Sequence, residues 1–158
     1  MTQPTVLDLK VPPALGVLLT GGGMWGLTRA FPALGFGWPM AVNLGLGVAF
    51  GAAGVGLALT GVATFRRHGT TVDPLHPEAA GQVVRSGPFR RTRNPMYLGM
   101  ALLLLGWALG LAHPLAFLGV PVLMAYLTRF QIQPEERALS AKFGAAYEAY
   151  LREVPRWL

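Results

Sequence analysis

Two long stretches of this chain carry no charge, and that limits the fold more than any motif does. No Asp, Glu, Lys or Arg occurs from Ala30 to Phe65 or from Asn94 to Thr128, and Val11 to Thr28 is a third uncharged run. A helix crossing the hydrocarbon of a bilayer needs about 20 apolar residues, with about 17 as the lower bound. A water-soluble domain of 158 residues has too little interior to hide that much apolar surface. Composition agrees: 53% of the residues are hydrophobic and 13% charged, against roughly a quarter charged in soluble domains. The chain reads as a single all-α domain embedded in a membrane.

The spans are expected at about 13–28 and 39–65, with two more in the last uncharged stretch, which is too long for one. Its middle reads Ala112-His113-Pro114, and proline breaks or kinks a helix. The stretch is therefore expected to form a hairpin of two short helices, about 96–111 and 115–130. Four spans result; three spans with one kinked helix is the alternative. A cytosolic connection (66–94) and a cytosolic tail (131–158) with an amphipathic helix complete the chain. The connection carries six arginines, and the tail adds Arg137, Lys142, Arg152 and Arg156. An even number of spans puts both on one side with Lys10, and the positive-inside rule makes that side cytoplasmic. Arg29 falls on the opposite side. Segment one, with Lys10 beside Asp8 before it and Arg29 close behind, is a poor match to a cleaved signal peptide. The expected setting is a bacterial inner membrane with both termini cytoplasmic.

The net charge is +6. The arginines flank apolar spans, so a membrane face explains them better than nucleic acid does. There is no cysteine, which removes disulfides and thiol chemistry. His68, His76 and His113 lack ligand spacing, so no metal site is expected. Gly21, Gly23 and Gly26 match GxGxxG in letters, but no strand precedes them and no acid follows at the required distance. Gly22–Gly26, Gly47–Gly51 and Gly106–Gly110 show GxxxG spacing, which permits close helix approach. Packing within one subunit is the simpler use of it; nothing in the sequence sets the oligomeric state. Asn43, inside the second span, is expected to bond across helices or to meet a ligand.

Chemistry concentrates in two places. Gly87-Pro88-Phe89-Arg90-Arg91-Thr92-Arg93-Asn94-Pro95-Met96-Tyr97-Leu98-Gly99 opens a helix, with Asn94 as N-cap and Pro95 in the first turn. The helix N-terminus and Arg93 together suit a carboxylate or phosphate; anchoring the span is the equal alternative. The tail begins at Pro134, with Glu135 and Glu136 in the first turn. Leu139, Phe143, Tyr147, Tyr150 and Val154 then form one apolar face. Gly144 lies within this pattern at a cost of about 1 kcal/mol. Arginine and the paired acids on one side of the membrane suit a zwitterion such as an amino-acid headgroup.

These two blocks, Gly87-Pro88-Phe89 with Arg93-Asn94-Pro95-Met96-Tyr97-Leu98-Gly99, then Glu135-Glu136 through Val154-Pro155-Arg156, resemble the isoprenylcysteine carboxyl methyltransferase and phospholipid methyltransferase superfamily. Gly69-Thr70-Thr71-Val72-Asp73-Pro74 is similar to a loop of its bacterial members. The resemblance covers about residues 60–157. It implies a multi-span helical enzyme that binds S-adenosylmethionine at the cytosolic membrane edge and methylates a lipid or prenylated acceptor. Carried over, Arg93, Asn94, Pro95, Tyr97 and Gly99 line the cofactor site, Glu135 and Glu136 close it, and Gly87 and Arg90 are weaker candidates. Glu135 or Glu136 would be the base for a protic acceptor. Prenyl-protein members are expected to have an arginine one turn before the first glutamate to hold the substrate carboxylate. Gln131 stands there, with Arg129 the nearest basic group, which weakens the case for a prenylcysteine carboxylate. The rival readings are a non-catalytic scaffold or lipid-binding protein of the same fold, and a sterol-reductase-like enzyme, for which the chain is short.

Overall fold

The computed structural model describes residues 8–158, and they are helical with no strand among them. The helices are α1 (Pro13–Ala30), α2 (Met40–Arg67), α3 (Pro95–Leu111), α4 (Gly119–Leu127), α5 (Gln133–Phe143) and α6 (Ala145–Glu153). A 3₁₀ turn at Pro114–Leu118 leads into α4, and a π-helical turn at Thr128–Ile132 joins α4 to α5. These two turns, α4 and α5 therefore run as one helix, Pro114–Phe143. Met40–Arg67 and Pro114–Phe143 are long and apolar enough to cross a membrane, and α3 is a shorter apolar helix. The apolar part of the second stops at Thr128, and charged residues begin at Arg129.

The exterior is what lipid contact requires. Among the 28 residues of α2 only Asn43, Gly54 and Gly61 are buried. Val42, Leu44, Val48, Val55 and Leu59 are exposed along it. In water such a surface would drive association. The core lies instead between α1, α3 and α4, around Met24, Leu104, Ala108, Leu123 and Leu127.

The α2–α3 contact is made by missing side chains. A Cβ added to Gly54 would lie 2.5 Å from the Gly99 carbonyl oxygen, and one on Gly99 2.5 Å from that of Gly54. About two turns further on, Gly106 would meet the Gly47 carbonyl at 2.6 Å. Two of the three GxxxG pairs thus pack on each other inside one subunit. Among the described residues, a Cβ added to Gly22 or Gly26, the third pair, would meet no neighbouring element within 4 Å.

The hairpin turn falls at the expected residues. Ala112 ends α3 in the left-handed region (φ 50°). His113, only 2% exposed, uses both ring nitrogens: Nε2 donates to the Phe31 carbonyl at 2.9 Å, and Nδ1 accepts from the Leu115 N–H at 3.3 Å. A carbonyl can only accept, so the neutral ring carries its proton on Nε2. Asn43 braces its own segment, its Nδ2 donating to the Trp38 carbonyl at 3.4 Å, while its Oδ1 is buried without a partner among the described residues.

The tail departs from the expected single amphipathic helix. Gly144 adopts φ 52°, ψ −130° and breaks it into α5 and α6; that backbone region is open to glycine and closed to most residues with a Cβ. The chain folds back there. Tyr147, Tyr150 and Val154 then bury themselves against Val83, Leu139 and Phe143 instead of lying on a bilayer.

Candidate active site

The polar end of α3 is held from three sides. Asn94 occupies the N-cap position, but its side chain makes no capping bond. It turns to the tail, where Nδ2 donates to the Arg156 carbonyl at 2.9 Å. Thr92 donates to the same oxygen at 3.2 Å, and the Arg93 N–H donates to the Pro155 carbonyl at 3.0 Å. Tyr150 reaches back to the Phe89 carbonyl at 2.8 Å, while Phe89 stacks on Phe65 at 4.6 Å between ring centres. The last residues of the chain are thereby tied to the start of α3.

Two adjacent glutamates meet different surroundings there. Glu136 is clamped: Arg93 donates to it at 2.7 Å, and Arg156 donates to both of its oxygens at 3.1 and 2.6 Å. Burial raises its carboxyl, but the Arg156 and Arg93 hydrogen bonds outweigh that and hold it below its ordinary value. Glu136 in turn raises Arg156. Arg93 also donates to the carbonyls of Leu151 and Val154, and its Nε is buried without a partner among the described residues. Glu135, past the apolar part of its helix, accepts from the Tyr97 hydroxyl and from Gln131 Nε2 at 3.3 Å. Burial pushes its carboxyl up to about 7, against these two hydrogen bonds, which pull it down. Burial likewise raises Tyr147, and Tyr150 to about 12.

A cavity of about 100 Å³ opens between these groups. Arg93, Asn94, Tyr97, Glu135 and Glu136 line it, Phe65, Phe89, Tyr147 and Tyr150 wall it, and much of the 70–84 connection covers it. That connection is braced by its own bonds: Asp73 accepts from the Leu75 N–H at 2.9 Å and contacts His76 at 2.8 Å. These bonds lower the Asp73 carboxyl and raise the His76 imidazole. Lys142 donates to the Glu78 carbonyl at 2.6 Å from the other side.

The sequence profile described as phospholipid methyltransferase matches residues 42–146, more than half of the chain. The chain belongs to the phospholipid methyltransferase family. An uncharacterized protein of Haemophilus influenzae is 46% identical over 63 residues, which are 40% of this chain and 100% of that protein. A Delta(14)-sterol reductase of Mus musculus is 35% identical over 82 residues, 50% of this chain and 19% of the reductase; the chain spans only about a fifth of that relative. No solved structure matches.

Five of the residues expected in a phospholipid methyltransferase site on sequence grounds do converge: Arg93, Asn94, Tyr97, Glu135 and Glu136. The other five lie elsewhere. Gly99 is consumed by the α2 contact, as its missing Cβ shows. Pro95 is fully buried beside Gly61. Gly87 faces Thr64 with φ 57°, and Arg90 is exposed. Arg129 is paired with Asp8 at 3.5 Å, beside Arg137 at 2.6 Å from the same carboxylate. The zwitterion expectation also changes, because the acid nearest Arg93 is Glu136 itself. Sequence reading missed Arg156 as the second clamp and Gln131 as a Glu135 partner. Gln131 stands four residues before Glu135, one turn away on a helix, which was a usable signal. No spacing rule leads from Arg93 to Arg156.

Proposed function

We propose that this chain is a membrane-embedded methyltransferase that uses S-adenosylmethionine to methylate a lipid-like or prenylcysteine-like acceptor at the cytosolic face of a bacterial inner membrane. One observation carries the reading: Arg93, Asn94, Tyr97, Glu135 and Glu136 come from two separate stretches and line one cavity, at the N-terminal end of α3 and past the apolar part of the Pro114–Phe143 helix. The arrangement we infer is one domain with four spans, both termini in the cytosol, and residues 66–94 and 131–158 forming the cytosolic site.

The residues fit the cofactor in chemistry. Among the described residues Arg93 Nε is buried without a partner and suits the cofactor's carboxylate, and the aromatic walls suit its base. Glu136 acts through Arg93, which it holds in place. The cavity of about 100 Å³ is smaller than the roughly 300 Å³ at which small-molecule sites begin, so the 70–84 connection must move outward to admit the ligand. When bound, S-adenosylmethionine supplies a methyl group already carried by a good leaving group. The protein's tasks are then alignment, which supplies much of the rate, and exclusion of water. Glu135 sits near the neutral range and accepts the proton that an amine or hydroxyl acceptor must shed. A carboxylate acceptor would need no base but would need a cation. Arg93 and Arg156 are engaged with Glu136, and Arg129 and Arg137 with Asp8. The site therefore favours a protic acceptor over a prenylcysteine carboxylate.

Calorimetric titration of the detergent-purified chain tests this, with S-adenosylmethionine, S-adenosylhomocysteine and NADPH as ligands. Micromolar binding of the first two is expected, together with transfer of labelled methyl into a lipid extract. Glu135→Gln should keep affinity within a few fold and lose about 10²- to 10⁴-fold in turnover, the usual worth of a general base. Well-folded protein that binds neither ligand would sink the proposal and favour a non-catalytic role.

A further inference from the structure

Gln131 is 1% exposed, and it is neither a span anchor nor part of the Glu136 clamp. Its Nε2 donates to the Pro74 carbonyl at 2.7 Å and to the Glu135 carboxylate at 3.3 Å. The Pro74 carbonyl can only accept, so it fixes the orientation of the amide. A primary amide has two N–H groups on one atom and can serve both acceptors at once. Pro74 lies in the connection that covers the cavity; Glu135 lies in its wall. Gln131 itself lies in the π-helical turn Thr128–Ile132, an irregularity that interrupts helix register and is often found at functional sites.

We propose that Gln131 is a positioning residue that ties closure of the 70–84 connection over the cavity to the orientation of the Glu135 carboxylate. When the connection swings out, the Pro74 carbonyl leaves and Gln131 loses the bond that fixes its amide. The amide then no longer presents its second N–H squarely to Glu135, whose remaining partner is Tyr97. When the connection returns over a ligand, Gln131 is pinned again and the carboxylate is set. Closing the site and aiming its proton acceptor become one event. The identity of the ligand that closes it rests on the methyltransferase reading above; the mechanical link does not.

The test is hydrogen–deuterium exchange on the full chain in detergent, read at the amides of Leu75, Ala79, Ala80 and Gly81. Gln131→Met keeps the length and removes both donors. Exchange in the connection should rise about 2- to 12-fold, the equivalent of one net hydrogen bond; Gln131→Asn replaces it if the methionine variant does not fold. Glu135→Ala is the decisive partner, because Glu135 bonds Tyr97 and Gln131 and nothing in the connection. It should speed exchange in wild type and add nothing in Gln131→Met, a non-additivity that mere local support would not produce. Additive effects, or an unchanged connection in Gln131→Met, would overturn the proposal. With S-adenosylhomocysteine present, the same amides should gain protection in wild type and less in Gln131→Met. If wild type does not bind it, the cofactor reading fails, and the ligand-free double-mutant comparison still decides the link.

Discussion

The two ends of α3 are held by opposite means. Toward Gly106 and Gly110 the helix meets α2 through glycines and lets two backbones touch. Toward Arg93 it meets the tail through a half-buried carboxylate shared by two guanidiniums. The difference follows from the solvent. Lipid tails are as apolar as leucine, so burying apolar side chains gains little there and close van der Waals contact must hold the helices. At the water edge a charge cluster can be assembled and partly hydrated, and it fixes direction as well as distance. One end is held by shape, the other by a clasp of charge, and the cavity opens at the charged end.

Breaking the clasp should have the largest effect on stability. Glu136→Ala leaves Arg93, about 10% exposed, without its counter-ion. Removing one partner of a buried pair costs about 3–5 kcal/mol. Thermal unfolding in detergent should show it as a large drop in midpoint, with Glu136→Gln intermediate because an amide oxygen still accepts. A Glu136→Ala protein as stable as wild type would mean that the clasp contributes nothing.

The glycine end comes next. Gly99→Ala puts a Cβ 2.5 Å from the Gly54 carbonyl oxygen, so the helices must part. Overpacking of this kind costs about 1–3 kcal/mol. The same substitution at Gly51, whose nearest neighbour is a Leu103 side-chain carbon at 3.8 Å, should be tolerated. Equal loss at both positions would show that α2 is held by something other than close approach.

What was legible in the sequence divides along the same line. The helices and their turn at Ala112–His113 were readable because charge absence and proline act locally. The family blocks pointed to Arg93, Asn94, Tyr97, Glu135 and Glu136, which line one cavity. Gly99 packs on Gly54 of α2, a use the sequence does not reveal, because a glycine beside a motif looks the same whether it admits a ligand or a helix. Clasp and connection were illegible, since Arg93–Arg156 and Gln131–Pro74 are tertiary contacts that no period encodes. Gly144 marks the boundary: the apolar face continued across it, but only a backbone angle open to glycine shows that the chain turns.

Glu135 offers a smaller effect with a sign of its own. Its carboxyl is raised from 4.5 to about 7, so the folded chain holds a proton that the unfolded chain has released. Stability should therefore fall as pH rises from about 4.5 to about 7, by at most about 1.4 kcal/mol per pH unit. Turnover that uses Glu135 as a base should rise through pH 7, opposite in direction. Glu135→Gln should flatten the stability slope. A wild-type slope that rises over this window, or one that survives the substitution, would remove the buried proton from the account.

The smallest effect is expected at Gly22. Its GxxxG spacing to Gly26 equals that of Gly47–Gly51 and Gly106–Gly110, yet nothing lies within 4 Å of a Cβ at Gly22 or Gly26. Gly22→Ala should be neutral or slightly stabilising, since glycine costs roughly 0.5–1 kcal/mol in a helix relative to alanine. The measurement is the unfolding midpoint of Gly22→Ala beside Gly99→Ala in the same detergent. A gain at Gly22 against a loss at Gly99 would establish that contact, not spacing, decides what a small-residue motif does here. A loss at Gly22 would mean that α1 has a partner at this face, and size-exclusion mass measurement on the same samples would show whether it is a second copy of the chain.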